Sequence, residues 1–177
     1  MANLVSQIKD IVAEDVNLCY QCEKCTSGCP VALEMELVPA QIMHAAQLNL
    51  KQKILEANTI WLCVSCETCN TRCPQGIDIS KVMDALRITA RREKVKAKIP
   101  SIPRFYNLCL LSLRFVGCMY EAGLAGFMRL SSGDLIKDMP VAIAFIKQGK
   151  LNFFPHFRNI FKINKIIRKV RKIEGFK

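Results

Sequence analysis

The chain has 177 residues, 51% of them apolar and ten of them cysteine, which suits one domain or a small domain with an appendage and excludes a disordered chain. Its net charge of +11 is unevenly placed: residues 1–90 carry seven Lys/Arg against ten Asp/Glu, and residues 91–177 carry nineteen against five. That shift, at Arg91-Arg92-Glu93-Lys94-Val95-Lys96-Ala97-Lys98 and followed by Pro100 and Pro103, predicts two domains, 1–98 and a basic 99–177.

In chain order, a first helix is expected over residues 4–15, with Leu4, Ile8, Ile11 and Val12 on one face and Asn3 as its N-cap. Residues 39–48 read as helix by propensity, with Pro39 in the first turn, and 50–57 as a second short helix. After Gly76 frees the backbone, a helix begins at Ile79 with Val82, Met83 and Leu86 turned inward. Few segments alternate, so the predicted fold class is all-α. The basic half is expected to continue as helices over 105–117, 138–154 and 157–173. The last of these places Ile160, Ile163, Ile167, Val170 and Ile173 along one face, with Lys and Arg around the rest. No window makes a transmembrane span. The most apolar, residues 105–125, contains Asn107, Arg114 and Glu121, and a charge at mid-span costs about 2.5–3.5 kcal/mol. The start Met1-Ala2-Asn3-Leu4 has no signal-peptide pattern, so a cytoplasmic location is expected, with peripheral membrane contact left open.

Eight of the cysteines fall in two matching runs, Cys19-x2-Cys22-x2-Cys25-x3-Cys29-Pro30 and Cys63-x2-Cys66-x2-Cys69-x3-Cys73-Pro74. This is the thiolate spacing of two-cluster ferredoxins. Three cysteines at three-residue steps can wrap one cubane, and the proline after the fourth directs the chain out of the loop. In such ferredoxins the fourth cysteine ligates the other cluster. Applied here, one [4Fe–4S] takes Cys19, Cys22, Cys25 and Cys73, and the other takes Cys63, Cys66, Cys69 and Cys29. Cluster assembly and folding are then linked. Structural zinc uses pairs of ligands set a dozen or more residues apart, and a disulfide framework needs an oxidising compartment; neither suits these runs.

The remaining features carry less. Cys109 and Cys118 fall on opposite faces of a continuous helix and read as packing. His44 and His156 lack partners at metal spacing, although His44 between two clusters could tune a potential. Trp61 and Leu62, just before Cys63, are expected to pack over a cluster. Arg72 stands where the first run has Gly28, and its charge would favour a reduced cluster. The basic final helix fits an anionic lipid surface or an acidic partner; without a recognised binding motif, nucleic acid is not expected. No G-x-G-x-x-G, Walker loop or nucleophile–base pairing is found, so no active site of its own is expected.

The segments Cys19-Tyr20-Gln21-Cys22 through Cys29-Pro30-Val31, then Thr59-Ile60-Trp61-Leu62-Cys63-Val64-Ser65-Cys66-Glu67-Thr68-Cys69 and Cys73-Pro74, resemble the small iron–sulfur component of heterodisulfide reductase. The similarity continues more loosely through Tyr120-Glu121-Ala122-Gly123 and Gly149-Lys150-Leu151 to Pro155-His156. The resemblance implies an α-helical ferredoxin with two [4Fe–4S] clusters, passing electrons from a flavin-containing A subunit to a catalytic B subunit. All eight cluster cysteines of that family match. The family's catalytic motif needs adjacent cysteines, and this chain has no Cys-Cys pair, so disulfide cleavage would occur on another polypeptide. The same absence argues against the iron–sulfur subunit of anaerobic glycerol-3-phosphate dehydrogenase. The iron–sulfur subunits of succinate dehydrogenase add a [2Fe–2S] domain, for which the eighteen residues before Cys19 are too few. An autonomous reductase acting at an exposed cluster is the reading from another class.

Overall fold

The computed structural model describes residues 3–120, 123, 124, 126, 127 and 160–174. The described residues form α-helices, 3-10 turns and loops, with no β-strand among them. The chain divides into two compact units, residues 1–100 and 101–177.

The first unit begins with α1 (Leu4–Val12), where the Asn3 side chain accepts from the Val5 N–H at 3.1 Å. The helix ends three residues before the predicted stop because Ala13 turns left-handed, φ 59°, and gives its N–H to Lys9 O. Leu4, Val5 and Ile8 are buried, while Ile11 and Val12 are half-buried. Next come α2 (Lys24–Ser27), α3 (Pro39–Gln47), α4 (Lys51–Glu56), α5 (Thr59–Leu62), α6 (Thr68–Arg72) and α7 (Ile79–Arg92). Short 3-10 turns at Val16–Leu18 and Ala32–Glu34 join them.

α7 is the central element. α1, α4, α5 and α6 all pack on it, and α3 packs on α1, α2 and α4. Ile42, Met43, Ile54, Leu55, Ile60, Val82, Met83 and Leu86 are almost wholly removed from water. At roughly 1.5–3 kcal/mol for each such side chain, this core dominates the unit's stability. Arg87 of α7 donates to the carbonyls of Ile60 and Cys63 and pairs with Asp84 at 2.8 Å, fastening the end of α5. Trp61 is 4% exposed, in the core of α5.

The second unit opens with α8 (Ser101–Val116). It starts four residues before the predicted helix. Pro103 sits in its first turn, where the missing N–H has no partner to lose. After α8, Gly117 at φ 79° turns the chain, and Ser112 Oγ accepts from the Tyr120 N–H at 3.0 Å and donates to Cys118 O at 3.1 Å. A basic helix, α9 (Ile160–Glu174), packs on α8, and Asn164 Nδ2 donates to Arg114 O at 3.2 Å. Ile160, Ile163 and Ile167 are half-buried as the predicted stripe requires, but Val170 is exposed. The predicted helix over 138–154, His156 and the stretch from Gly149 to Leu151 lie outside the described residues. Among the described residues, no helix is long and apolar enough to cross a membrane.

Candidate functional site

The two cysteine runs fold alike. In the first, Gln21 and Glu23 adopt left-handed backbone, φ 62° and 61°, on either side of Cys22. In the second, Ser65 and Glu67 do the same, φ 50° and 60°, on either side of Cys66. None of the four is glycine, and such residues cost of order 1–3 kcal/mol each when so held. The repeated left-handed kinks curl each loop around its middle cysteine.

Each curled loop runs into a one-turn helix bearing the third cysteine, Cys25 in α2 and Cys69 in α6. The fourth cysteine closes the turn: Cys29 N–H bonds Thr26 O at 3.1 Å, and Cys73 N–H bonds Asn70 O at 3.2 Å. The residue after each third cysteine then holds the first turn of the next long helix. Thr26 Oγ accepts from the Ala40 N–H of α3 at 3.1 Å, and Asn70 Oδ1 from the Ser80 N–H of α7 at 3.1 Å. Since α2 packs on α6, the two halves meet back to back.

This arrangement carries each fourth cysteine to the opposite run. One cavity is ringed by Cys19, Cys22, Cys25 and Cys73 and backed by Ala40 and Met43 of α3. The other is ringed by Cys63, Cys66, Cys69 and Cys29 and backed by Ser80 and Met83 of α7. Ile79 lines both cavities. Two sets of polar contacts fix the crossing. The chain beyond Cys29 is sewn to the start of α5: Asn58 Oδ1 accepts from the Glu36 N–H at 2.9 Å, and Thr59 Oγ donates to Leu37 O at 2.8 Å. The chain beyond Cys73 is tied to the segment before Cys19, where Glu14 Oε2 accepts from the Asp78 N–H at 3.3 Å.

The thiols are not equivalent. Cys22 and Cys66 are exposed, Cys25 is buried and the other five are half-buried. Burial, reinforced by neighbouring Cys63, pushes the Cys69 thiol up to about 11, and burial also raises Cys25. A hydrogen bond from Thr68 lowers Cys66. Binding iron must displace these protons, so assembly releases protons into the medium. Among the described residues, no three Cys, His, Asp or Glu side chains draw close enough to hold a single metal ion. Each set of four sulfurs stands around a cavity instead. An all-thiolate set of four around each cavity fits the ligand chemistry of an iron–sulfur cluster.

Other residues singled out in the sequence lie away from the two cavities. Trp61 and Leu62 line neither cavity; Met43, Met83 and Ile79 are among the apolar side chains that do. Those methionines were legible only as core positions of helices. His44 is exposed on α3 and lines neither cavity. Cys109 is buried on α8 and Cys118 is half-buried.

A family described as a 4Fe-4S dicluster domain matches residues 18–78, a span that contains all eight cysteines. The chain therefore carries an iron–sulfur electron-transfer domain of the 4Fe-4S kind. No curated protein compared with the chain matches it.

Proposed function

We propose that this chain binds two [4Fe–4S] clusters and relays electrons as the iron–sulfur subunit of a heterodisulfide reductase-like complex. One cluster is held by Cys19, Cys22, Cys25 and Cys73, the other by Cys63, Cys66, Cys69 and Cys29. The observation that carries this reading is the pair of four-cysteine cavities that share Ile79 in their linings. Bound clusters supply reversible one-electron carriage. The protein's own part is to hold the sulfurs, to exclude water with Met43, Met83 and Ile79, and to leave an edge of each cavity at the surface.

Those edges are Cys22 and Cys66. Beside them, at equivalent places in the two runs, Tyr20 and Val64 are 56% and 63% exposed. An exposed apolar side chain at each edge suits close contact with a redox neighbour. In this reading the donor is a flavin-containing A subunit and the acceptor is a catalytic B subunit. This chain has no adjacent cysteine pair, so disulfide cleavage belongs to the acceptor.

The second unit serves as the docking module. Leu111 and Phe115 of α8 and Phe161 and Ile166 of α9 are exposed apolar side chains, while Lys162, Lys165, Arg168, Lys169 and Lys172 are exposed cations. An acidic partner with an apolar patch matches both features; the cations steer association and the apolar area holds it. Anaerobic purification from the native cell, followed by identification of the bound proteins, tests the assignment. A flavoprotein and a Cys-Cys-bearing subunit are expected. A chain ending at Lys98 should keep its iron and lose both partners. Retention of the partners with loss of liposome binding alone would make the second unit a membrane device. Disulfide turnover by the isolated chain at the rate of the complex, driven by reduced viologen, would overturn the relay reading.

A further inference from the structure

Gln47 and Gln21 form a short chain of amides that ends on a cysteine sulfur. Gln47, in the last turn of α3, donates from Nε2 to two backbone carbonyls, Cys19 O at 2.8 Å and Val16 O at 3.1 Å. Only the nitrogen of a primary amide can serve two carbonyls, so the side chain has one acceptable orientation and its Oε1 faces the other way. There it meets Gln21 Nε2 at 3.2 Å. An oxygen in that place requires a donor, and Gln21 is thereby oriented in turn. The same Gln21 Nε2 lies 3.3 Å from Cys19 Sγ. Flipping Gln47 would set its oxygen against both carbonyls, and flipping Gln21 alone would set oxygen against oxygen.

The second run has no such device. The place equivalent to Gln21 is Ser65, a short exposed side chain. At Cys69 the nearby amide end is reversed: Asn70 Oδ1, held by the Ser80 N–H, lies 3.5 Å from the sulfur. The Thr68 hydroxyl stands 3.4 Å from Cys66 Sγ at an exposed position where water competes. Arg87, also near this run, donates to Asp84 and to the carbonyls of Ile60 and Cys63.

We propose that Gln21, positioned by Gln47, raises the reduction potential of the cluster held by Cys19, Cys22, Cys25 and Cys73 and leaves the other cluster unaffected. The inference rests on the two-cluster reading. Reduction adds negative charge that the ligand sulfurs share, and a fixed N–H donor stabilises the more negative state further. Hydrogen bonds to the sulfurs are among the protein's levers on cluster potential.

The test is a redox titration of the full chain with its clusters, followed by electron paramagnetic resonance, on variants that keep the side chain's size. In Gln21→Leu, one of the two reduction steps should become harder by roughly tenfold, about 59 mV for one electron, while the other stays put. Gln21→Glu should move the same step at least as far, because an acceptor and a negative charge replace the donor. Gln47→Leu should move it less, since Gln21 keeps its amide but loses its clamp. Cys66→Ser, which replaces a ligand of the other set of four, should move the other step, which identifies the two. Unchanged potentials in both Gln21 variants, or equal shifts of both steps, would overturn the inference. Iron and sulfide content of the parent protein decides the two-cluster reading separately, whatever the variants do.

Discussion

Gly28 and Arg72 occupy equivalent places in the two cysteine runs and face each other where α2 meets α6. A Cβ on Gly28 would stand 2.7 Å from both Cδ and Nε of Arg72. Gly28 has φ −101°, a conformation open to any residue, so its small size and not its backbone freedom is what the site uses. The pseudo-twofold packing of the halves leaves room for one long side chain at this point, and the second run supplies it.

Gly28→Ala should therefore push Arg72 aside. The displaced atoms belong to the distal part of a flexible, exposed side chain, so the expected loss of stability is about 1 kcal/mol, at the low end of overpacking effects. Arg72→Ala in the same chain should restore the loss. A double-mutant cycle by denaturant unfolding under anaerobic conditions measures the coupling, and additive single effects would show that the contact is incidental.

The crossing of the fourth cysteines gives the second prediction. Cys29→Ser should disturb the cluster nucleated by Cys63, Cys66 and Cys69, well downstream in the sequence, and spare the one that follows Cys19. Spectroscopic damage confined to the Cys19–Cys25 cluster would contradict it.

The apolar covers should separate in the same way. Ile79 lines both cavities, whereas Met43 lines only the first and Met83 only the second. Met43→Ala should speed oxygen bleaching of one cluster and Met83→Ala of the other. Ile79→Ala should affect both, with a stability loss of about 2–5 kcal/mol for a large-to-small change at a buried site. Bleaching rates followed by absorbance, with the two clusters distinguished by electron paramagnetic resonance, check the pattern.

Much of the helical layout was readable because its signals are local. Pro39 opens α3, and the spacing of Val82, Met83 and Leu86 marks α7. The cysteine spacing with terminal prolines directed attention to two sets of four. The left-handed kinks at Gln21, Glu23, Ser65 and Glu67 were not readable, because none is glycine and tertiary packing imposes the conformation. The same holds for Ala13, which stopped α1 early. Trp61 misled because sequence adjacency to Cys63 suggested contact, while the single turn of α5 directs the ring into the core. The amide chain of Gln47 and Gln21 depends on residues 26 apart meeting in space, which no local pattern announces.

Asp78 caps α7, accepting from the Lys81 N–H at 3.0 Å, and it also accepts from Asn70 Nδ2 at 2.7 Å and Ser80 Oγ at 2.8 Å. Burial by itself would raise its carboxyl, but the Lys81 and Ser80 hydrogen bonds and the Lys81 charge outweigh it and hold the group at about 2. A carboxylate depressed from 3.8 contributes stability that is fully present above about pH 4 and fades as pH falls through about 2. Asp78→Ala should cost about 1–2 kcal/mol at pH 7, the range of a lost N-cap. Denaturant midpoints at pH 7 measure it, and an unchanged midpoint would mean that water replaces the carboxylate without loss.

Iron and acid-labile sulfide, measured together on anaerobically purified protein, test the central claim most directly. Two cubanes held by eight cysteines predict about eight iron and about eight sulfide per chain, with Mössbauer spectra of the [4Fe–4S] type. Stoichiometric zinc with negligible sulfide, or about four iron with one set of four cysteines still free to alkylate, would contradict it.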